Sequence, residues 1–229
     1  MLKKSLLIII PAYNEAKMIG KVIDSIPNKI RNIAKRDILV IDDGSRDHTV
    51  LIAHSKKVKV IRHIINRGLG AVLATGFEYA RRFSYTFIIT FDADGQHNPH
   101  DIFPVLKPLI DQKADVVIGS RLLYPKTMPL ARRLINFISN FITLLLFNVW
   151  TTDSQSGLRG FNLKALQKIN IRTQRMEVSS EIFKEISRTK LKLAEVPIHS
   201  IYTKYSLHKG QRISNAPNVV WKLLLSRFT

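Results

Sequence analysis

The chain has 229 residues and is 45% hydrophobic, which is enough for one sizeable core in a single ordered unit. It contains no cysteine, so disulfides, zinc–thiolate sites and thiol catalysis are excluded. Its 36 Lys and Arg residues against 17 Asp and Glu give a formal charge of +19, which indicates a polyanionic partner: nucleic acid, an anionic membrane surface or a phosphorylated substrate.

The first part of the sequence alternates apolar runs with segments of helical spacing. Strands are predicted at 6–10, 38–41, 58–61 and 85–91, and helices at 18–26, from Thr49 behind a capping Asp47, and at 71–82. This repeat of strand and helix predicts a doubly wound, mostly parallel α/β sheet with right-handed crossovers. Ligands of such sheets bind at the carboxyl ends of the strands.

Acidic or turn-forming residues follow three of these strands, at 11–15, 42–43 and 92–94. A polar turn after any one strand is unremarkable in itself. Three of them at one edge of a sheet favour a ligand site, because clustered carboxylates repel each other unless a cation or ligand balances them.

The most informative pair is Asp92 and Asp94, which follow the apolar run Phe87–Thr90 and precede Gln96. Two carboxylates beside an amide oxygen form a hard ligand set that suits Mg²⁺ or Mn²⁺ and can hold a diphosphate. The alternative is that the two acids only cap the turn before a helix that begins near Pro99.

The second part of the sequence predicts strands at 115–119 and 192–198 and a helix that begins near Ser179. Between them, the apolar segment 134–150 has two interpretations: a buried core helix, or an amphipathic helix that lies in a membrane surface. Its basic start and its polar residues at helical spacing favour the interfacial helix. Residues 201–229 are predicted to form a basic loop and a short amphipathic segment.

Five motifs, in this order, resemble glycosyltransferase family 2, and within it the polyprenyl-phosphate glycosyltransferases of the dolichyl-phosphate mannose synthase type. They are PAYNE at 11–15, DDGSRD at 42–47, NRGLGA at 66–71, DADGQH at 92–97 and DSQSGLRG at 153–160. The resemblance covers roughly residues 5–200. It implies a Rossmann-like GT-A fold, a mostly parallel sheet flanked by helices, to which the sequence pattern adds the interfacial helix.

The resemblance also implies a nucleoside diphosphate sugar donor and a Mg²⁺ or Mn²⁺ ion. Carried over by motif, the nucleotide-binding residues are Pro11, Ala12, Tyr13, Glu15, Asp42, Asp43, Asn66, Arg67, Gly68, Asp92, Ala93, Asp94 and Gln96. Asp92, Asp94 and Gln96 are the implied metal ligands, with Asp94 counted among the catalytic residues. A metal that bridges the diphosphate stabilises the charge that develops as the glycosidic bond breaks.

For the acceptor, the resemblance implies that Arg121 binds the phosphate of a lipid. Arg132 and Arg133, at the head of the apolar segment, are further candidates to orient that phosphate, because an arginine fork pairs with phosphate bidentately, and Arg132 is ranked above Arg133 by its register. Asp153 is expected to be either a general base or a residue that orients Arg159. A phosphate oxygen is already anionic, whereas a sugar hydroxyl needs a base. The leading expectation is therefore transfer to a polyprenyl monophosphate, with the inversion at the anomeric carbon that the resemblance implies. The alternative is a hydroxyl acceptor with Asp153 as base.

We expect a catalytic domain at 1–200, with a nucleotide-sugar half at 1–119 and an acceptor half at 120–200, followed by the segment 201–229. Peripheral attachment to the cytoplasmic face of an anionic membrane is expected, and nucleic acid is not an expected partner. Two other classes remain open: a nucleotidyltransferase, and a nucleic-acid-binding module, which would leave the acids at the strand ends unexplained.

Overall fold

The computed structural model describes residues 4–124, 128, 130–202 and 205, without the side chains of Ala131 and Arg132. The strands are β1 (Ser5–Ala12), β2 (Lys35–Asp42), β3 (Lys59–Arg62), β4 (Phe87–Thr90), β5 (Val116–Ser120), β6 (Arg159–Asn162) and β7 (Leu193–Pro197). The helices are α1 (Ile19–Ser25), α2 (Thr49–Ser55), α3 (Leu69–Arg82), α4 (Ile102–Ile110), α5 (Leu130–Phe147), α6 (Leu163–Lys168) and α7 (Val178–Thr189), and a 3₁₀ turn, Pro99–Asp101, precedes α4. The predicted C-terminal segment lies outside the described residues except for Ile201, Tyr202 and Tyr205.

The seven strands form one mostly parallel sheet in the order β3-β2-β1-β4-β6-β5-β7. Strand β6 is antiparallel to both of its neighbours, β4 and β5, and the other strand pairs are parallel. The mostly parallel α/β sheet predicted from the sequence is confirmed. Strand β6 was not predicted, because Phe161 is the one large apolar side chain among its four residues and the run carries no alternation.

Helices cover both faces of the sheet, which explains the unbroken apolar run in β1. Leu6, Ile8 and Ile10 face a core cluster shared with α1 and α4, while Leu7 and Ile9 face a second cluster shared with α3 and α7. Strands buried on both faces are apolar at every position. Packing on both faces of the sheet therefore stabilises its carboxyl edge, where β1, β2 and β4 end together.

Helix α5 has an unusual distribution of side chains, with apolar residues outside and polar residues inside. Phe137 and Leu145 are 64% and 66% exposed, whereas Asn140 and Thr143 are buried. This arrangement rules out a core helix that buries its apolar face, and it leaves the interfacial helix as a prediction. No helix in the described part of the chain is long and apolar enough to cross a membrane.

Candidate active site

A cleft of about 310 Å³ opens where β1, β2 and β4 end; we call it the acidic cleft. Ten residues predicted for the nucleotide site line it: Pro11, Ala12, Tyr13, Glu15, Asp43, Asn66, Gly68, Asp92, Ala93 and Asp94. Leu69, Val72 and Met176 complete the lining and were not predicted. Motifs that lie far apart in the sequence, from Pro11 to Asp94, thus meet at one edge of the sheet.

Asp92 and Asp94 reach the acidic cleft from the loop after β4. Gln96 binds Asp94 through both its backbone N–H and its side-chain amide, at 2.9 and 2.7 Å. Burial and the neighbouring charge of Asp92 raise the pKa of Asp94 above its usual value. Burial also acts to raise the pKa of Asp92, but the hydrogen bond from His97 and nearby positive charges outweigh it, so that pKa is lowered.

The two carboxylates fit a divalent cation as part of a shared ligand set. A positive charge between Asp92 and Asp94 relieves their mutual repulsion, and carboxylate oxygens are hard ligands. Within the described ranges, no group of three or more His, Cys, Asp or Glu side chains forms a complete metal site. The remaining ligands would be the oxygens of a bound diphosphate and water, which is the usual arrangement for Mg²⁺.

Asp43 shapes a second wall of the acidic cleft by holding the loop before α3. Its Oδ1 accepts a hydrogen bond from the backbone N–H of Arg67 at 2.9 Å, and its Oδ2 accepts one from Gly68 at 2.7 Å. His63 Nδ1 lies 2.9 Å from Oδ1. Gly68 has a φ of +94°, and a Cβ there would lie 2.6 Å from the carbonyl oxygen of Gln174, so the loop needs glycine at this position.

Three predicted nucleotide-binding residues lie outside the lining of the acidic cleft: Asp42, Arg67 and Gln96. Asp42 is fully buried, and its Oδ2 accepts a hydrogen bond from the N–H of Ser45 at 3.0 Å. Arg67 contributes its backbone N–H to Asp43, and Gln96 contributes its amide to Asp94. In this structure these residues therefore support the lining.

The first turn of α3 borders the acidic cleft and is capped by a later segment, residues 172–176. The N–H of Gly70 donates to the carbonyl oxygen of Arg175 at 3.2 Å, and that of Ala71 donates to Gln174 at 3.1 Å. These two N–H groups are not available to a phosphate, which would otherwise favour a helix N-terminus. A diphosphate in the cleft therefore depends on positive charge from elsewhere.

Arg121 and Asp153 form a tightly bonded pair beyond the end of β5. Asp153 is fully buried and accepts three hydrogen bonds from Arg121. The donors are Nε at 2.7 Å, Nη2 at 2.8 Å and the backbone N–H at 2.9 Å. Burial acts to lower the pKa of Arg121, but the charge of Asp153 outweighs it and raises that pKa. Asp153 therefore fixes the Arg121 guanidinium in one orientation.

Arg159 lies close to this pair but does not bond to Asp153. Its guanidinium donates to the carbonyl oxygens of Ser156 at 2.7 Å and Ser154 at 2.9 Å, and the ring of Phe183 lies 6.0 Å away. Burial lowers its pKa to about 10, so it stays charged at neutral pH. The hydrogen bonds of Asp153 thus go to Arg121 and not to Arg159.

Polar side chains of β7 and α5 fix the loop that carries Asp153. Glu195 on β7 accepts hydrogen bonds from the Thr151 hydroxyl at 2.6 Å and from the Thr152 N–H at 2.8 Å. Asn140, on the inner face of α5, bonds to the carbonyl oxygen of Thr152 and accepts from the N–H of Ser154. The polar inner face of α5 is thus explained by its contact with this loop.

A second depression, of about 580 Å³, lies between α5 and residues 150–152; we call it the apolar groove. It is lined by Leu122, Arg133, Leu134, Phe137, Asn140, Phe141, Trp150, Thr151 and Thr152. Arg133 donates its Nε to the carbonyl oxygen of Met128 at 3.0 Å. The predicted Arg132 belongs to α5, with its side chain outside the description. Leu122 and Thr152 adjoin Arg121 and Asp153 in sequence. The apolar groove therefore begins beside the Arg121–Asp153 pair.

A family model for glycosyl transferase family 2 matches residues 7–170. The chain belongs to glycosyltransferase family 2. Its fold, its acidic strand ends and the order of its motifs along the sheet edge agree with this assignment, so the protein is a glycosyltransferase.

Several relatives of this glycosyltransferase resemble it along most of their length. An uncharacterised protein of Methanocaldococcus jannaschii is 43% identical and covers 98% of this chain and 93% of its own. The UDP-N-acetylglucosamine–dolichyl-phosphate N-acetylglucosaminyltransferase of Methanococcus voltae is 37% identical, over 98% of this chain and 97% of its own. The polyprenol monophosphomannose synthase of Mycolicibacterium smegmatis is 30% identical over 72% of this chain and 64% of its own.

Solved structures agree with the fold of this glycosyltransferase. Glucosyl-3-phosphoglycerate synthase from Mycobacterium tuberculosis, crystallised with Mn²⁺, UDP and glucosyl-3-phosphoglycerate, superposes with a TM-score of 0.72 at 21% identity. The match covers 98% of this chain and 80% of that one. The predicted GT-A architecture is thus confirmed.

Proposed function

We propose that this glycosyltransferase moves one sugar from a nucleoside diphosphate sugar to a polyprenyl monophosphate, with inversion at the anomeric carbon. The observation that carries the proposal is the Arg121–Asp153 pair at the head of the apolar groove. It combines a fixed positive charge with an apolar surface, the two features that a lipid phosphate requires. The names of the relatives from Methanococcus voltae and Mycolicibacterium smegmatis support the same acceptor class.

The donor is proposed to bind in the acidic cleft with its diphosphate near Asp92 and Asp94. When bound there, Mg²⁺ or Mn²⁺ supplies the positive charge that stabilises the departing diphosphate. The capped first turn of α3 supports this dependence, because that helix end has few free N–H groups to offer the phosphates. The Mn²⁺ and UDP in the structural neighbour support a divalent ion, with either metal as a candidate.

The acceptor oxygen is proposed to attack without a protein base. A phosphate monoester is already anionic near neutral pH, so the acceptor needs orientation and charge compensation from Arg121 and Arg132 rather than proton removal. A hydroxyl acceptor would need Asp153 as the base. That role is disfavoured because Asp153 is fully buried and its oxygens accept three hydrogen bonds from Arg121.

Membrane association is proposed through the outer face of α5, with the protein peripheral on the cytoplasmic side. The exposed Leu and Phe side chains of α5, with Trp150 just beyond its end, have a lower free energy in the headgroup region than in water. The proposed domain at 1–200 keeps its nucleotide and acceptor halves, except that Met176 from the second half contributes to the acidic cleft.

A transfer assay tests the proposal, with UDP- and GDP-sugars, Mg²⁺ or Mn²⁺, and a short-chain polyprenyl phosphate. We expect a glycosyl-phospholipid that disappears with EDTA and falls about 100-fold or more in Asp94→Ala. Asp111→Ala, at an exposed turn after α4, is the matched control and should retain activity. Donor binding with no glycosylated lipid phosphate, together with transfer to a hydroxyl compound, would overturn the acceptor assignment.

A further inference from the structure

His97 is buried directly beside Asp92, and the proposed function so far leaves it without a role. Its ring is 3% exposed and packs edge-on against Phe91, with 5.5 Å between ring centroids. Its Nε2 lies 3.1 Å from Asp92 Oδ2. A backbone bridge to Ser200 holds His97 in place. The ring therefore has little freedom to turn away from the carboxylate.

The hydrogen-bond partners indicate which ring nitrogen of His97 carries the proton. Nδ1 is buried, and no atom of the described residues bonds to it. A buried N–H without an acceptor is costly, whereas Nε2 faces a carboxylate that accepts a hydrogen bond. Nε2 is therefore the ring nitrogen that donates a hydrogen bond to Asp92.

Asp92 is confined on its other side by Gly157. A Cβ at residue 157 would lie 1.9 Å from Asp92 Oδ2 and 2.5 Å from Oδ1, so the carboxylate packs directly on the glycine backbone. Thr90 fixes that backbone by donating its hydroxyl to the Gly157 carbonyl oxygen at 2.7 Å. No described residue hydrogen-bonds to Asp92 Oδ1, and the side chain is 37% exposed. One oxygen is therefore anchored, and the other remains available to a ligand.

We propose that His97 is a positioning residue that orients Asp92 toward the cation and diphosphate of the donor. The anchored Oδ2 fixes the carboxylate plane against Gly157, and Oδ1 is presented to the acidic cleft. The role rests on the proposed function, because it presumes that a cation-bound diphosphate occupies this cleft. Groups that orient a metal ligand typically change metal affinity about 10- to 100-fold when they are removed.

The test compares His97→Phe, which keeps an aromatic ring against Phe91, with His97→Gln, which keeps a side-chain N–H donor. Mn²⁺ affinity is measured by electron paramagnetic resonance with saturating UDP or GDP, whichever binds the wild type. We expect His97→Phe to weaken Mn²⁺ about 10- to 100-fold and His97→Gln to recover most of that loss. Nucleoside monophosphate binding without metal, measured by calorimetry, should not change.

His54→Phe, at an exposed position of α2, is the control and should bind Mn²⁺ as the wild type does. Thermal unfolding accompanies each variant, and His97→Leu replaces His97→Phe if that protein unfolds. Wild-type Mn²⁺ affinity in the folded His97→Phe or His97→Leu protein, or a loss in His97→Gln equal to that in His97→Phe, overturns the positioning role while the donor site stands. A wild type that binds neither diphosphate with Mn²⁺ overturns the proposed donor site, and the role of His97 with it.

Discussion

Asp153 binds the side chain of Arg121 with both carboxylate oxygens, at 2.7 and 2.8 Å, in a position fully shielded from solvent. Removing one partner of such a pair leaves an uncompensated buried charge, which typically costs about 3–5 kcal/mol. The pair thus couples the stability of the fold to the orientation of the arginine that we assign to the acceptor phosphate.

Replacing Asp153 with Asn should destabilise the protein and lower activity without changing the pH dependence of kcat. Asparagine keeps the shape of the side chain but removes the charge that holds Arg121. We expect a loss of about 3 kcal/mol in the free energy of unfolding, measured with urea. If Asp153 were instead the general base, the acidic limb of the kcat profile would disappear in the variant.

The double variant Arg121→Met with Asp153→Asn separates stability from activity. Because it removes both charges, it should unfold at a higher urea concentration than Asp153→Asn alone. Its transfer activity should stay low, since the acceptor phosphate has lost Arg121. Recovery of activity in the double variant would contradict the assignment of Arg121.

Gly157→Ala should remove most of the activity while leaving the sheet intact. The new Cβ would lie 1.9 Å from Asp92 Oδ2, so the carboxylate must move. A displacement of about 1 Å in a catalytic group can cost about 100-fold in rate, which the transfer assay would detect. Gly20→Ala, where the nearest atom would be Ile52 Cγ2 at 3.1 Å, is the control and should keep normal activity.

The strands that build the acidic cleft were predictable because their signals are local. The run 6–10 is apolar at every position, and PAYNE and DADGQH mark where β1 and β4 end. Met176 and β6 could not be predicted in the same way. Met176 lies at the cleft because the two residues before it, Gln174 and Arg175, accept hydrogen bonds from the start of α3. Strand β6 exists because β4 and β5 pair with it on either side. Such contacts leave no periodic pattern in a short segment.

Helix α5 shows a different limit of sequence patterning. Its spacing separates an apolar face from a polar one, but periodicity does not say which face turns inward. Here Asn140 turns inward because the Thr152 carbonyl and the Ser154 N–H need a partner, and Phe137 turns outward. For Asp153, likewise, the sequence offered two roles, a general base or a partner of Arg159, whereas the structure shows its carboxylate bonded to Arg121.

Asp115 should make the stability of the fold depend on pH. Burial acts to raise its pKa, but hydrogen bonds from Lys164, the N–H of Lys192 and Asn162 outweigh it and hold the pKa below its usual value. A carboxylate whose pKa is lowered in the folded state stabilises the fold above its unfolded pKa of about 4. That contribution is lost as the pH falls through the folded pKa.

Asp115→Asn should therefore unfold more easily than the wild type at pH 7, by about 2 kcal/mol, and the difference should shrink as the pH falls below about 5. Urea titrations at a series of pH values measure both proteins. Asp24→Asn is the control, because Asp24 pairs with Lys56 at an exposed site where ion pairs contribute little. A difference that stays constant from pH 7 to pH 3 would contradict the prediction.

Charges on the outer face of α5 should weaken membrane binding without affecting donor binding. Phe137 and Phe141 are 64% and 57% exposed and line the apolar groove, so Phe137→Glu and Phe141→Glu place a carboxylate where we propose lipid contact. In sedimentation with anionic vesicles, we expect each variant to remain largely in the supernatant, and the KM for a long-chain polyprenyl phosphate to rise. Donor affinity should not change, since the acidic cleft is a separate site.

Leu51→Glu on α2, with Leu51 70% exposed, is the matched control. If Leu51→Glu reduces vesicle binding as much as the α5 variants do, the effect is one of net charge, and the proposed contact through α5 fails.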